Sequence, residues 1–568
     1  MASPKLICGN WGPERTECKK QGRYACKNCL LITYCSAECQ KSHWLQHRPD
    51  CRSLLNTINW QPAWVWENRN PAFVGGEAHS QKGFGENKYV WGNVPAFDLL
   101  KLDSNERNES YDGGHRILFA GILLYIASGD LRNIVKTLAH LPSDYNHPIE
   151  ITVNDRDLDI VARNVIILLL GLLVDDAEKA IDCMIHVWYS ALIRQSDLHV
   201  IQHQIRPLIQ TICEKIKDKK EDALLAQTWM FGQQSYRLVL TKVSWDRLLS
   251  FTQMPSGCVT LAGSRKDYRD RQLFCQQPSH RVAFLKFRED GLLLPFGFPR
   301  NANTWPMRDS ADPLDGWPSE EIAATSTGPA TSDIYGKLFF YLRGILRPFL
   351  NQVHGSHISF RFFHLDVEAL SCELRAESFS RIEVSNISDI GWLGIHKTLG
   401  CMVPLLQRLS ENPHATLITL FMNAVQQTMP VGDHERRSRV DSIGAEATHL
   451  RRYLPQQKIP NSINDPELFK FMNAHDLVTN YDGIFDRYAM INNLRMCGGM
   501  YGAVMKDTHT IIDQWPYRLK LRPGQLGAQE EFDRRLADGT SGKERYVEWK
   551  RGTEAELENL TSRLHIFQ

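Results

Sequence analysis

Two stretches of the chain repeat one pattern: an apolar run, a polar break, then a helical stripe. RILFAGILLYIASGDLRNIVKTLAHLP carries the continuous apolar run Ile117–Ala127, the pattern of a strand buried on both faces. Ser128, Gly129 and Asp130 interrupt it, and Leu131, Ile134, Val135 and Leu138 then recur at helical spacing. In IEITVNDRDLDIVARNVIILLLGLL, Ile149–Val153 predicts a second strand. Asn154–Asp157 ends it, and the apolar stretch from Ile160 predicts a buried helix. Two consecutive strand–helix units predict an α/β fold with a doubly wound sheet.

From about Asp175 to Arg300 the period changes. EKAIDCMIHVWYSALIRQ and HVIQHQIRPLIQTICEKIKDKKEDALLAQTWM predict amphipathic helices inserted between strands of the sheet. The charge run Lys215–Asp222 suits a solvated helix face. The Pro/Ser/Thr-rich stretch from Asn301 to Asp333 predicts a long loop or lid. The sheet resumes with predicted strands at Ile358–Leu365 and Arg381–Val384.

Doubly wound sheets bind ligands beyond the carboxyl ends of their strands. The candidates there are Gly129 and Asp130 after the first strand, and Asn154, Asp155 and Asp157 after the second. Asp366 and Glu368 follow the next, and Asn386, with Ser385 and Asp389, the last. Gly129 and the amides opening the next helix suit an anionic group. Asp155 or Asp157 stands where a ribose hydroxyl is held. The same acids also suit helix caps. One glycine in the turn falls short of a G-x-G-x-x-G loop.

Composition narrows the classes. The 568 residues are 43% hydrophobic and 23% charged, an ordinary globular profile. A net charge of +1 offers no global attraction for nucleic acid or an acidic membrane. No apolar run reaches the roughly 20 residues of a membrane helix, and MASPKLICGNWG lacks a signal-peptide core. The expectation is an intracellular protein, cytoplasmic or nuclear, with no membrane partner. Seven of the 14 cysteines precede Arg52, which points to metal, not disulfides. Cys8, Cys18, Cys26, Cys29, Cys35, Cys39, His47 and Cys51 supply eight ligands, enough for two tetrahedral zinc ions. Cys35/Cys39 and His47/Cys51 have the spacing of one helix face. His43, one turn before His47, is a rival ligand. The Gly-, Asn- and Trp-rich stretch after Cys51 suits an extended segment pinned by Trp60, Trp64 and Trp66. Near the C-terminus, YRLKLRP and ERYVEWKRG interleave basic and aromatic residues, a composition that binds phosphate backbones.

YCSAECQ and HWLQHRPDC resemble a MYND zinc finger. The resemblance implies interleaved ligands: Cys8, Cys18, Cys35 and Cys39 on one ion, Cys26, Cys29, His47 and Cys51 on the other. Trp11 stands where the family's second cysteine is usual, and Cys18 substitutes for it. The family binds short peptides of partner proteins, and a finger that caps the neighbouring domain is the structural alternative. GDLRNIVKTL, NDRDLDIVARN and FSRIEVSNISDIGWLG resemble a fungal family with a MYND finger before a Rossmann-like domain. A related domain opens an axonemal dynein assembly factor. The order of strand-end motifs is also similar to an S-adenosylmethionine methyltransferase. Asp366-Val-Glu368, as a D-x-E pair, resembles the arginine-containing cyclodipeptide synthases of fungal specialised metabolism. That resemblance implies amide formation between amino acids delivered by aminoacyl-tRNA, with Asp366 and Glu368 catalytic. The expected organisation is a finger at 8–51, a linker at 52–85, a Rossmann-like domain at 86–174 and 336–430, a helical insertion and lid at 175–335, and a mixed region at 431–568. The expected activities are a cyclodipeptide synthase, a methyltransferase-like enzyme or a non-catalytic adaptor.

Overall fold

The computed structural model describes all residues except 1–5, 12–17, 72–90, 107–113, 121–129, 191, 254–263, 299–301, 305–311, 430–449, 455–463, 539–540 and 563–568. In chain order the strands are β1 (Tyr24–Ala25), β2 (Thr33–Tyr34), β3 (His115–Ala120), β4 (Ile149–Asn154), β5 (Leu192–Arg194), β6 (Leu224–Phe231), β7 (Gln234–Thr241), β8 (Ala302–Thr304), β9 (Ile358–Phe363), β10 (Arg381–Glu383), β11 (Thr416–Phe421), β12 (Ala503–Met505) and β13 (Arg545–Arg551). A nine-stranded mixed sheet runs β12-β13-β11-β10-β3-β4-β9-β7-β6. Its central run, β11-β10-β3-β4-β9-β7, is parallel. β13 is antiparallel to β11 and β12, and β6 to β7.

Period-two burial explains why these segments are strands. Ile117 and Phe119 enter one core, Leu118 and Ala120 the other. Ile418 and Leu420 divide from Leu417 and Phe421 in the same way. Helices Arg132–Ala139, Leu158–Leu173, Ala177–Tyr189 and Ile334–Gly355 cover the first face. Val367–Glu373, Ile395–Met402 and Asp482–Ile491 cover the second. With both faces covered, the inner strands read as apolar runs without polar alternation. From β3 the chain steps outward to β4 and β9, then returns to β10 and β11 on the other side of β3. The winding reverses between β3 and β10.

Several expectations change. The second half of the apolar run Ile117–Ala127, with Gly129, lies outside the described residues. Helix was expected across DALLAQTWM, but Leu224–Phe231 is a strand, paired through a turn at Gly232 (φ +62°) with β7. Its residues alternate in exposure, and β7 extends the sheet beyond β9. The stretch expected as a lid is anchored where it is described. Trp317 is buried and donates through Nε1 to Tyr189 Oη at 2.9 Å. Trp64 is buried and donates to Asn464 O, whereas Trp66 is exposed and donates within its own segment, to Gln61 O at 3.2 Å. ERYVEWKRG is largely the interior strand β13. Arg545, Glu548 and Trp549 are fully buried there, so most of this stretch faces the interior, and Lys550 and Arg551 at its end are half-buried. Among the described residues no helix is long and apolar enough to cross a membrane.

At the amino end of β10, the fully buried Arg381 pairs with buried Glu106 and donates to Ser380 O and His414 O at 2.9 and 3.0 Å. Arg381→Leu strands the Glu106 carboxylate in the interior. Urea denaturation is expected to show a loss of about 3–5 kcal/mol.

Candidate metal centre and sheet-edge site

The finger is built on a short hairpin and one helix. β1 and β2 pair Tyr24 with Tyr34 and Ala25 with Thr33, which leaves Cys26 and Cys29 on a knuckle beyond the pair. Ser36 caps helix Ala37–Cys51 by accepting from Cys39 N, and that helix carries Cys39, His47 and Cys51. The eight ligands fall into the two interleaved tetrads Cys8/Cys18/Cys35/Cys39 and Cys26/Cys29/His47/Cys51, the donor atoms of each within 4.8 Å of one another. In the first, Cys18 and Cys39 lie 3.7 and 3.4 Å from Cys35 between sulfurs. In the second, Cys26 and Cys51 are 3.7 Å apart, and Cys29 is 3.5 Å from His47 Nε2. Tetrahedral zinc with Zn–S bonds of about 2.3 Å places sulfurs roughly 3.8 Å apart, so both sets fit the ion. His43 stands outside both sets, with Nδ1 3.0 Å from Tyr34 Oη. Burial lowers His47 to about 4, so its imidazole is neutral and able to coordinate. Burial also pushes the Cys29 thiol well up, and the charge of zinc offsets that cost of ionisation. The protein binds two zinc ions.

The finger is fastened to the α/β body on one side. Trp11 Nε1 donates to Gly297 O, and Ser332 N donates to Leu30 O at 3.1 Å. Gly297 (φ +83°) has no room for a side chain, since a Cβ would come within 2.7 Å of Ile32 Cδ1. Arg281 donates to Thr57 O at 3.1 Å and lies over the Trp60 ring. Cys26, Cys29, Leu31 and Ile32 share one core with Leu293 and Phe296.

At the carboxyl edge of the sheet, the expected residues divide by role. Asn154 ties β4 to the end of β9, donating to Leu365 O and accepting from Leu365 N. Asp157 caps helix Leu158–Leu173, and Asp155, buried, accepts from Asp157 N at 2.7 Å. Asp130 clamps Arg132 Nε at 2.6 and 2.7 Å and accepts from Gly92 N. Asp366 caps helix Val367–Glu373 through Ala369 N at 2.8 Å. Glu368 is exposed and pairs with exposed Lys397 at 3.0 Å. Asp366 and Glu368 are thus engaged in a helix cap and a surface ion pair, which gives the synthase expectation no support.

Beyond β10 stand Glu383, Asn386, Ser388 and Asp389, all buried. Glu383 was missed in the sequence, although a carboxylate inside SRIEVSN breaks the apolar register and was a readable signal. Its Oε1 accepts from Ser385 N at 2.7 Å, and Ser385 has φ +52°. Asp389 Oδ2 accepts from Met422 N, Asn423 N and Asn423 Nδ2 at 3.1, 3.1 and 2.9 Å. Burial raises Glu383 and Asp389 each to about 7.

Residues 15–51 match the MYND finger family, and residues 90–193 match a domain of unknown function, DUF4470. No curated protein and no solved structure matches the chain.

Elemental analysis of the purified chain is expected to return two zinc ions. Cys29→Ser should lower that to about one and reduce the melting temperature of the body packed against the knuckle. The buried acid at Glu383 sets a pH trend. Its ordinary value is 4.5 and its folded value about 7. Between them the folded chain holds a proton that the unfolded chain has lost. Stability therefore falls as pH rises through that window, by up to about 3 kcal/mol, and is flat above it. Urea midpoints at pH 5 and 7.5 should converge in Glu383→Gln relative to wild type.

Proposed function

We propose that the protein is a zinc-dependent interaction protein, an adaptor whose finger captures a partner and whose α/β body is the platform that holds the finger. The observation that carries this reading is the two-sidedness of the finger. Leu31 and Ile32 are given over to the body. Leu45, Leu54 and Ile58, on and just after its helix, are 75%, 74% and 82% exposed. Exposed apolar groups on a rigid, metal-held frame suit a short apolar segment of another protein. Members of the MYND finger family mediate protein interactions, which agrees with this geometry.

A second reading concerns the body. The order β11-β10-β3-β4-β9, with β3 at the reversal and an antiparallel β13 set between β11 and β12, favours a Rossmann-like domain. This order supports the methyltransferase-like alternative, with buried Asp155, just past the end of β4, as the candidate to hold a ribose hydroxyl. The adaptor and nucleoside readings are compatible, because they use different surfaces.

Affinity capture of the full chain with quantitative mass spectrometry tests the adaptor reading. Leu45→Glu together with Ile58→Glu should deplete the captured partner at least tenfold while zinc content and melting temperature hold. Undiminished capture by that variant overturns the reading.

A further inference from the structure

The turn after β10 holds more buried polar chemistry than the chain satisfies. Glu383 is 6% exposed, Asn386 1%, Ser388 0% and Asp389 0%. Asn386 Nδ2, Ser388 Oγ and Asp389 Oδ1 are closed off from solvent with no hydrogen-bond partner among the described residues. Glu383 has one backbone donor, Ser385 N, and no Lys, Arg or His pairs with it among the described residues. Each buried polar group left unpaired costs about 1–3 kcal/mol, and folded chains carry few of them. Here they fall between Glu383 and Asp389, at the end of the strand where the winding of the sheet reverses.

The neighbouring charges do not meet the need. Arg132 lies near Glu383, but it is committed to Asp130, to Val94 O and to Gly316 O. Asp389 is steadied by three donors on one oxygen, which leaves the other oxygen free. The turn therefore offers two carboxyl groups that lack a cation and one amide that lacks an acceptor. An ammonium group supplies a positive charge with three donors, and an acceptor beside it takes the Asn386 amide hydrogen.

We propose that this turn binds a small amine-bearing ligand, with Glu383 as the counter-charge to its ammonium and Asn386 and Asp389 holding its polar remainder. The inference rests on the nucleoside reading of the body and specifies which group of such a ligand this turn recognises. Ser385, held at φ +52° by the Glu383 carboxylate, sets the turn that presents these groups.

Isothermal titration calorimetry on the full zinc-loaded chain at pH 8 tests it with two probes. They are S-adenosylhomocysteine and its desamino analogue, which lacks only the amine. Wild type is expected to bind the first at least tenfold more tightly. Glu383→Gln should erase that preference without changing the affinity for the analogue, and Glu383→Asp should retain part of it. Zinc content and melting temperature confirm that each variant is folded. Equal binding of the two probes by wild type, or a preference that survives in Glu383→Gln, overturns the inference and leaves the nucleoside reading standing. Absence of binding by either probe overturns both.

Discussion

Burial of the central parallel strands on both faces constrains everything else in this chain. β3 lies between β4 and β10 with helices above and below, and its residues from Ile117 to Ala120 are apolar on both faces. Parallel neighbours cannot be joined by a tight turn, and each crossover carries the chain back over a face. The carboxyl ends of β3, β4, β9, β10 and β11 thereby gather at one edge, and the loops bearing Asp130, Asp155, Asp366, Glu383 and Asn423 are brought together. At that edge the apolar requirement lapses, because backbone and side-chain polar groups have no further strand to pair with.

The finger joins this body through metal chemistry. About fifty residues cannot bury enough apolar surface to fold unaided, so the two thiolate-rich sites supply the free energy. Once folded, the knuckle offers Leu31 and Ile32 to a surface shaped around Gly297, where a side chain would collide with Ile32. Zinc therefore positions one face of the finger against the body and leaves the outer face of its helix to solvent. The mixed roles of this small unit, structural on one side and available on the other, follow from which of its apolar residues found a place in the shared core.

The sheet edge shows how similar residues take different roles. Asp157 and Asp366 each follow a strand, and each caps the next helix, because its carboxylate falls beside an unpaired amide. Glu383 is the last residue of its strand, in register with Val153 and Phe362 and so four residues before the positions of Asp157 and Asp366, and is carried into the interior. There its charge is disfavoured by burial and is met by a single backbone donor. Position along the chain, at the last residue of a strand or beyond its end, separates the buried acid at the winding reversal from the local caps.

The sequence determined what depends on local spacing. Cys26-x2-Cys29, Cys35-x3-Cys39 and His47-x3-Cys51 define the zinc ligands, because a knuckle or one helical turn suffices to converge them. The apolar runs opening at Ile117 and Ile149 define β3 and β4, because strands buried on both faces leave an uninterrupted signature. Tertiary structure alone decided the rest. Leu224–Phe231 became a strand because β7 and β9 offered an edge to extend. Arg545–Trp549 became core because β11 and β12 left a place between them. Asp366 and Glu368 carry the same residue types as a catalytic pair. Asp366 took the local role of a cap on the Ala369 amide three residues on, whereas the role of Glu368 was settled by Lys397, 29 residues away, a partner that leaves no mark on local sequence.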